Sequence, residues 1–425
     1  MAPRIVVVGG GAGGLPLVTR LGKQLGKRGL AQITLIDANL IHVWKPRFHE
    51  VATGALDAEL DAVDYRAHAR ENHYEFQLGS MSGLDRETRE VILAPIVDKE
   101  GDQVLPERRI PYDYLVIAIG SGGNDFGTPG VRQHCLFLDS KQQADRFHRD
   151  FLNTCMTADF SGKPVSIAIV GAGATGVELA AEIHHAVDLL KLYGHHRLDR
   201  SKLQVHLIEA APRILPPLSE RVAKAAHEEL TRLGVQIHVN TMVECATEKA
   251  FITKDGKEIP GDLLVWAAGV KAPPVLAELG LETSRGQLVV NDRLQTSDPS
   301  IFALGDCSAC PDGNGKTVPP RAQSAQQMAK TMARNMARLV RGEPLEPFVY
   351  KDRGSLVSLS RFDSVGNLMG NLKSGNLFVE GWLARIMYVS LYRMHQASIY
   401  GWPRAIMLIL GGRFSKMLRP RMKLH

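Results

Sequence analysis

The sequence predicts an α/β fold with two Rossmann-like dinucleotide-binding domains, followed by a C-terminal amphipathic helical region. Three observations predict this fold. An apolar strand leads into a glycine-rich turn and a helix at Gly9, and the same arrangement recurs at Gly171. Residues 381–425 then combine apolar residues at helical spacing with eight basic residues and no acidic one.

Length and composition set the class of protein. A chain of 425 residues is too long for one hydrophobic core, and 44% hydrophobic with 23% charged residues is typical of globular proteins. Five cysteines, an odd number, favour a reducing compartment. The formal net charge of +6 lies in the tail, because the first 380 residues hold 43 Lys and Arg against 45 Asp and Glu. A basic groove for nucleic acid is therefore not expected.

The first dinucleotide motif follows the apolar run Ile5–Val8, which has the length and β-branched content of a buried parallel strand. Gly9, Gly11 and Gly14 supply G-x-G-x-x-G where this strand turns into a helix. The pattern allows a tight turn, close approach to a pyrophosphate and close contact between helix and strand. The next strand ends in Asp37, where a carboxylate accepts hydrogen bonds from an adenosine ribose.

The second motif repeats the first about 160 residues later. The strand Val165–Val170 leads into Gly171, Gly173 and Gly176, and the following strand ends in Glu209. Two complete arrangements, each with its own acidic residue, predict two dinucleotide sites in one chain.

The acidic residue of the second motif bears on the choice of nucleotide. A carboxylate at Glu209 repels a 2′-phosphate, which favours NADH over NADPH. Arg213, four residues further on, would weaken that preference if it reached the ribose.

Three further segments read as strands that complete the two domains. Tyr114–Gly120 and Leu263–Gly269 are apolar runs ending in glycine. Each is predicted to form the strand with which the chain rejoins the parallel sheet of its Rossmann unit. Ile301–Leu304 is followed directly by Gly305 and Asp306, and this acid is predicted to contact the ribityl or pyrophosphate part of a flavin nucleotide.

These motifs resemble the two-dinucleotide-binding-domain flavoproteins, which are similar to pyridine nucleotide-disulfide reductases. The resemblance implies FAD in the first fold and a nicotinamide dinucleotide in the second, with the NADH domain inserted into a split FAD domain. The implied boundaries are 1–125 and 285–345 for the FAD-binding domain, 160–284 for the NADH-binding domain, and 346–425 for the C-terminal membrane-association region.

Two segments narrow the resemblance to type II NADH:quinone oxidoreductases. Pro319–Ala329 resembles the family's A-Q-x-x-x-Q segment at the flavin and the quinone tunnel, and His42–Ala55 resembles its aromatic–proline segment ending in V-A-T-G. Gln323 and Gln327 are four residues apart and share one helix face. Uncharged amides can bind quinone carbonyls without the desolvation cost of charges. Glu178 matches a glutamate that the family places near the nicotinamide and flavin, although a first-turn acid favouring the helix dipole is the alternative.

Motifs and resemblance together predict the following sites. The residues predicted to bind FAD are Gly9, Gly11, Gly13, Gly14, Asp37, Lys45, Ala118, Gly120, Gly305, Asp306, Ala322 and Gln323. Those predicted to bind NADH are Gly171, Gly173, Gly176, Glu178, Glu209 and Gly269. Glu178, Gln323 and Gln327 are the predicted catalytic residues, and Gln323 and Gln327 are also predicted to contact the quinone. No metal site is expected, because the histidines lack ligand spacing.

The implied activity is transfer of a hydride from NADH to FAD and of two electrons to a membrane quinone, ubiquinone or menaquinone, without proton pumping, in a respiratory chain. Two alternatives remain open. Cys307 and Cys310 form C-x-x-C, which would serve a sulfide:quinone or disulfide reductase. The third possibility is a non-catalytic flavin redox sensor.

The tail predicts attachment to a membrane surface. Apolar residues from Leu383 to Met394 lie close to helical spacing, several aromatic residues accompany them, and Pro403 interrupts the pattern before a second apolar run. This composition favours a helix lying on an anionic membrane, and a dimer interface or a core-packing helix is the alternative. With the resemblance, it implies a peripheral protein on the cytoplasmic face of a bacterial inner membrane, and a possible homodimer.

Overall fold

The computed structural model describes residues 2–352, 354–359, 363–368, 377–418, 420 and 422–424. The chain divides into two compact units. The first unit comprises Met1–Trp44, Ala62–Gly122 and Lys271–Lys351. The second comprises Lys45–Asp61, Gly123–Val270 and Asp352–His425.

Strands and helices are numbered in chain order, beginning with those of residues 4–123. The strands here are β1 (Arg4–Val8), β2 (Gln32–Asp37), β3 (Ile41–His42), β4 (Val63–Asp64), β5 (Glu75–Leu78), β6 (Met81–Asp85), β7 (Glu90–Leu93), β8 (Ile96–Val97), β9 (Gln103–Leu105), β10 (Arg108–Pro111), β11 (Tyr114–Ile117) and β12 (Gly122–Gly123). The helices are α1 (Gly14–Gln24), α2 (Phe48–Ala52), α3 (Ala58–Asp61) and α4 (Tyr65–Asn72).

The remaining elements follow in the same order. The strands are β13 (Val165–Val170), β14 (Leu203–Ile208), β15 (Gln236–His238), β16 (Val243–Ala246), β17 (Ala250–Thr253), β18 (Glu258–Pro260), β19 (Leu263–Trp266), β20 (Val270–Lys271), β21 (Thr283–Ser284), β22 (Gln287–Val289), β23 (Ile301–Ala303), β24 (Ser308–Ala309), β25 (Gly354–Leu359), β26 (Asp363–Leu368) and β27 (Leu377–Glu380). The helices are α5 (Val131–His134), α6 (Lys141–Ser161), α7 (Ala174–Leu192), α8 (Glu220–Leu233), α9 (Ala322–Val340), α10 (Gly381–Tyr400) and α11 (Trp402–Leu418).

The first unit is built on a parallel sheet in the order β23-β11-β1-β2-β5. Its central strand β1 pairs with β2 on one side and with β11 on the other, Val6 lying opposite Thr34 and Leu115. Ile5–Val8 are at most 2% exposed, as expected for a strand covered on both faces. The predicted first Rossmann unit is confirmed.

The second unit repeats this topology with a parallel sheet in the order β15-β14-β13-β19. In both units an antiparallel three-stranded sheet follows the third parallel strand, β10-β7-β6 in the first and β16-β17-β18 in the second. The chain then returns beside the opening strand, β11 next to β1 and β19 next to β13. The predicted return strands are therefore confirmed, and the repeat extends well beyond the glycine motifs.

The C-terminal region begins with a sheet that the sequence analysis missed. An antiparallel sheet in the order β25-β26-β27 precedes the helices, and it falls where only helical anchoring was predicted. β25 and β26 interrupt their apolar residues with Gly, Ser and Asn, and β27 has only four residues, so their hydrophobic pattern is weak beside the helical pattern after residue 381.

The two tail helices break where Pro403 predicted. α10 ends at Tyr400, Gly401 has a φ of +80°, and α11 starts at Trp402. The predicted apolar positions 383–387 lie outside the described side chains. Among the helices within the described ranges, none is long and apolar enough to cross a bilayer.

Buried histidines give the fold a predicted sensitivity to acid. Burial lowers the pKa of His42, His49, His184 and His206 to about 4. The unfolded chain therefore binds more protons than the folded one once the pH falls below about 6.5. The stability from these neutral imidazoles is fully present above that pH and is lost as the pH falls toward 4.

We expect the urea midpoint of unfolding to fall steadily between pH 7 and pH 4.5. His184→Leu should make this fall shallower, because unfolding of the variant takes up as much as about one proton fewer. Both ring nitrogens of His184 are buried without a hydrogen-bond partner in the described part of the chain. An unchanged slope in the variant would show that His184 takes up a proton without unfolding.

Candidate active site

The first glycine turn has the shape that a pyrophosphate requires. Gly9 has a φ of +102°, and a Cβ atom there would lie 2.4 Å from the carbonyl oxygen of Ala118. A Cβ at Gly14 would lie 1.7 Å from the carbonyl oxygen of Gly9, so only glycine lets α1 approach the strand. A Cβ at Gly11 would meet nothing within 4 Å, which leaves open space beside the N-terminus of α1. This cradle fits the phosphates of FAD.

Gly13 lies where α1 packs closely against neighbouring elements. A Cβ atom there would lie 2.5 Å from Leu304 Cδ1 and 3.2 Å from the carbonyl oxygen of Ala325. Gly13 is therefore needed where α1 packs against α9 and the chain after β23. Its contact with FAD stays a prediction.

The second turn repeats the glycine geometry of the first. Gly171 has a φ of +101°, and a Cβ atom there would lie 2.6 Å from the backbone nitrogen of Ala268. A Cβ at Gly176 would lie 2.0 Å from the carbonyl oxygen of Gly171, while at Gly173 it would meet nothing within 4 Å. No side chain caps α7, and its first turn holds no acidic residue, so its first N–H groups remain available to an anion.

The two predicted acidic residues occupy matching positions. Asp37 Oδ2 accepts a hydrogen bond from the Gly10 N–H at 2.7 Å, and its Oδ1 accepts one from the Asn39 N–H at 2.8 Å. Glu209 Oε2 accepts from the Ala172 N–H at 2.8 Å, and its Oε1 accepts from the Ala211 N–H at 2.9 Å. Each carboxylate thus holds its own glycine turn and keeps lone pairs for ribose hydroxyls.

Arg213 is held by the backbone of its own loop. Its Nη1 donates to the carbonyl of Leu215 at 3.2 Å, and its Nη2 donates to those of Pro216 and Leu218 at 2.8 and 2.7 Å. A guanidinium with three of its five donors used in this way is poorly placed to compete for a 2′-phosphate. The geometry therefore favours the predicted preference for NADH.

The loops around β11, β19 and β23 carry the other predicted cofactor residues. Asp306 Oδ2 accepts a hydrogen bond from Ser121 Oγ at 2.8 Å, and Gly120 and Gly305 adopt φ values of +70° and +75°. Gly269 has a φ of +65°, and a Cβ atom there would lie 2.5 Å from Phe126 Cζ. Ser121 is a partner that sequence reasoning missed, because a serine after a glycine turn carries no distinctive pattern.

The predicted glutamines lie side by side near the start of α9, which begins at Ala322. Gln327 Nε2 donates to Gln323 Oε1 at 3.3 Å and to the carbonyl of Lys351 at 2.9 Å. Gln327 Oε1 accepts from the Lys351 N–H at 3.1 Å. Both N–H donors of Gln327 are therefore engaged, and this side chain holds Gln323 and the backbone at Lys351.

Glu178 is buried in the second unit, at 6% exposure, beyond the first turn of α7. It is therefore not the dipole-favouring first-turn acid that the sequence left open. Its Oε1 accepts from the Ser358 N–H at 3.0 Å, and its Oε2 lies 3.4 Å from His49 Nδ1. Burial lowers the pKa of His49 to about 4, so the imidazole is neutral at pH 7. His49 lies in the aromatic–proline segment, and no spacing in the sequence links it to Glu178.

Lys45 is paired with an acidic residue in the second unit. Its Nζ lies 3.1 Å from Asp139 Oδ1, while Asp139 Oδ2 accepts a hydrogen bond from the Gly123 N–H at 2.7 Å. The lysine side chain is 43% exposed, so this ion pair is solvated and weak. The pair holds the chain at Gly123, where the second unit resumes after β12.

Comparison with known proteins places these features in one family. Residues 3–329 match the family model of pyridine nucleotide-disulphide oxidoreductases. The chain is 48% identical to the type II NADH:quinone oxidoreductase of Haemophilus influenzae, over 99% of each chain. The chain belongs to the type II NADH:quinone oxidoreductase family. The enzyme class predicted from the sequence, an FAD-dependent NADH:quinone oxidoreductase, is confirmed at the level of the family.

One further relative shares the family, and two solved structures share the fold. The type II NADH:quinone oxidoreductase of Staphylococcus aureus strain NCTC 8325 is 30% identical over 88% of this chain and 91% of its own. The structure of NDH2 from Plasmodium falciparum in complex with NADH superposes over 100% of both chains, with a TM-score of 0.83 at 17% identity. The sulfide:quinone oxidoreductase of Aquifex aeolicus shares the fold, with a TM-score of 0.72, 19% identity and coverage of 94% and 92%.

The cysteine pair is unsuited to the chemistry of a sulfide:quinone or disulfide reductase. Cys307 and Cys310 are completely buried, and burial raises the pKa of the Cys307 thiol to about 11 and that of Cys310 to about 12. Disulfide and sulfide chemistry requires a thiolate. Cys307 Sγ instead donates to the carbonyl of Leu304 at 3.2 Å, as a small core residue does.

We expect the double change Cys307→Ala and Cys310→Ala to leave NADH oxidation by the quinone route unchanged. Its free energy of unfolding should fall by about 1 to 3 kcal/mol, because two buried sulfur atoms are removed. Steady-state turnover at a temperature well below unfolding is the measurement. Loss of turnover in a folded, flavin-loaded variant would return the cysteine mechanism to consideration.

Proposed function

We propose that the protein binds FAD in its first unit and NADH in its second, and passes two electrons from NADH to a membrane quinone without pumping protons. The observation that carries this proposal is the pair of glycine turns, each held by its own carboxylate and each leaving open space beside a helix N-terminus. FAD, when bound, supplies the chemistry that accepts a hydride and returns two electrons. The chain supplies binding, orientation and a place for protons.

FAD is assigned to the residues of the first unit that surround its turn. Gly9, Gly11 and Gly14 form the cradle, Asp37 is placed for the adenosine ribose, and Asp306 with Ser121 Oγ forms a polar pair for the ribityl hydroxyls or the pyrophosphate. The proposed FAD-binding domain comprises 1–125 and 285–345, and within it Lys45–Asp61 belongs to the second unit. Ala118, Gly120 and Ala322 contribute backbone to the same site.

NADH is assigned to the turn of the second unit, within residues 160–284. Gly171, Gly173 and Gly176 form the cradle, Glu209 accepts the ribose hydroxyls, and Gly269 closes the turn after β19. A 2′-phosphate would face the Glu209 carboxylate without a free guanidinium at Arg213. We therefore assign NADH rather than NADPH as the electron donor.

The quinone is assigned to the Gln323 side of α9. Gln327 holds the Gln323 amide at 3.3 Å and is itself anchored on Lys351, so Gln323 is the amide that contacts the quinone carbonyl and Gln327 orients it. Quinone reduction also consumes two protons. We assign Glu178, whose carboxylate lies 3.4 Å from the neutral imidazole of His49, as the residue that holds one of them.

The tail is assigned to the surface of an anionic membrane on the cytoplasmic side of a bacterial inner membrane. α11 exposes Met407 by 71%, Leu410 by 50% and Phe414 by 68%, at the i, i+3, i+7 spacing of one helix face. Large exposed apolar faces mark membrane or protein contacts. Residues 381–425 carry eight basic residues and no acidic one, which favours a membrane over a second copy of the chain. A homodimer that forms through α10 is consistent with this assignment.

The test mixes flavin-loaded protein anaerobically with NADH and then with a short-chain ubiquinone, while flavin absorbance is followed. We expect rapid bleaching by NADH and rapid recovery on quinone. Gln323→Leu should leave bleaching unchanged and slow recovery about 10- to 100-fold, because the quinone loses a hydrogen-bond partner in an apolar site. Bleaching without recovery in the unaltered protein would contradict the quinone assignment and favour a redox sensor.

A further inference from the structure

The peptide between Gly10 and Gly11 is held by a buried tyrosine. Tyr65 Oη donates to the Gly10 carbonyl oxygen at 2.8 Å, while the Gly10 N–H donates to Asp37. Tyr65 is 2% exposed, its ring stacks on Phe76 with centroids 5.2 Å apart, and its backbone N–H donates to the Leu40 carbonyl. Burial and the Asp37 carboxylate raise the pKa of Tyr65 well above its usual value, so the phenol remains a donor.

This hydrogen bond fixes the direction of the next N–H group. In a trans peptide the C=O and the following N–H point in opposite directions. With the Gly10 carbonyl turned toward Tyr65, the Gly11 N–H is turned away from it. A Cβ atom at Gly11 would meet nothing within 4 Å, so the space beside this residue is open to a phosphate.

The second turn holds the matching peptide by different atoms. The Ala172 carbonyl accepts a hydrogen bond from the Leu215 N–H at 2.8 Å, while the Ala172 N–H donates to Glu209. Leu215 adopts a φ of +49°, a region that leucine rarely occupies, and it is 1% exposed. The three hydrogen bonds from Arg213 to the carbonyls of Leu215, Pro216 and Leu218 hold this loop in place.

The same comparison explains a sequence difference between the two motifs. A Cβ atom at Gly10 would lie 2.4 Å from Tyr65 Oη, so the tyrosine in the first turn requires glycine there. The corresponding residue of the second turn is Ala172, where a backbone N–H takes the place of the bulky ring. A side-chain hydroxyl in the first turn and a backbone N–H in the second thus hold the equivalent peptide carbonyl.

We propose that Tyr65 and Arg213 are positioning residues for the pyrophosphates of the two cofactors. Tyr65 acts directly on the Gly10–Gly11 peptide, and Arg213 acts through Leu215 on the Ala172–Gly173 peptide. The inference rests on the proposed assignment of FAD to the first turn and NADH to the second. Each residue affects only the nucleotide of its own turn.

Tyr65→Phe tests the first half, because it removes the hydroxyl and keeps the ring on Phe76. We expect the dissociation constant of FAD from the holoenzyme to rise about tenfold, since one peptide loses its fixed orientation. The ³¹P resonances of bound FAD should shift, while the dissociation constant of NADH stays within about twofold. Tyr74→Phe is the matched control, because it removes another buried tyrosine hydroxyl, the one 2.9 Å from His68 Nδ1. It should leave the ³¹P spectrum unchanged.

Arg213→Lys tests the second half and separates geometry from charge. Lysine keeps the charge but lacks the planar guanidinium whose two nitrogens reach the three carbonyls. We expect ADP-ribose, which carries a pyrophosphate, to bind about tenfold more weakly, with adenosine binding and FAD content unchanged. Equal weakening of ADP-ribose and adenosine would show a merely structural role, and full retention of ADP-ribose affinity would show that charge alone matters.

The outcomes also separate this inference from the proposed function. Unaltered protein that holds no FAD, or whose flavin NADH cannot reduce, would overturn the cofactor assignments and the inference with them. Unaltered protein that binds both cofactors, together with a Tyr65→Phe variant whose FAD affinity and ³¹P spectrum are unchanged, would overturn the inference alone.

Discussion

Gly176→Ala should retain FAD and lose reduction of that FAD by NADH, by about 100-fold or more. A Cβ atom at this position would lie 2.0 Å from the Gly171 carbonyl oxygen, far inside van der Waals contact. The N-terminus of α7 must then move by more than 1 Å, which carries its N–H groups away from the phosphates of NADH. Anaerobic flavin bleaching on a rapid-mixing instrument is the measurement.

Gly14→Ala should produce the reciprocal loss. Its Cβ atom would lie 1.7 Å from the Gly9 carbonyl oxygen, so the protein should be purified largely without FAD. Gly83→Ala is the control substitution, because its Cβ would meet Ile92 Cδ1 at an ordinary 3.5 Å. A Gly176→Ala protein that NADH reduces at the normal rate, or one that loses FAD instead, would contradict the assignment of the nucleotides to the two units.

Replacing Met407, Leu410 and Phe414 together by glutamine should release the protein from anionic vesicles. All three are half-exposed or more and lie on one face of α11. Each apolar side chain that inserts into a membrane contributes about 1 to 2 kcal/mol, so the triple change should weaken vesicle binding by at least about 100-fold. Glutamine preserves the helix, and activity with a water-soluble quinone should remain.

The matched control changes Met156, Phe160 and Leu192 to glutamine. These side chains are exposed by 50%, 87% and 72%, but they lie on α6 and α7 rather than in the tail. They should leave vesicle binding unchanged. If the α11 variant still sediments with vesicles but becomes a smaller species in solution, the face is a contact between subunits and the membrane assignment is wrong.

The glycine motifs could be predicted from the sequence because their glycines recur at a fixed spacing directly after an apolar strand. A Cβ atom at Gly14 or Gly176 would strike the carbonyl oxygen of a residue five positions earlier, whereas one at Gly9 or Gly171 would strike the chain just after β11 or β19. The acids Asp37 and Glu209 follow from the length of one strand–helix–strand unit. Such short-range relations repeat in the sequence, and the repeat itself identified two dinucleotide folds.

The side chains that contact the predicted site residues could not be predicted from the sequence. Tyr65 contacts Gly10 across 55 positions, His49 contacts Glu178 across 129, and Ser121 contacts Asp306 across 185. No periodicity links residues so far apart, because their proximity depends on how strands and helices pack. The sequence also assigned the whole of residues 346–425 to a helical region, since the weak pattern of β25, β26 and β27 says little without the sheet that they form.

The sequence by itself therefore determined the fold class, the two glycine turns with their acids, the glutamine pair and the family. These depend on backbone conformation and on neighbours close along the chain. Only the tertiary structure decided which side chains hold the turns, that Arg213 binds carbonyls, that Gln327 is anchored on Lys351, and that Cys307 and Cys310 are buried. Burial and long-range hydrogen bonds arise from packing, and packing is a property of the folded chain as a whole.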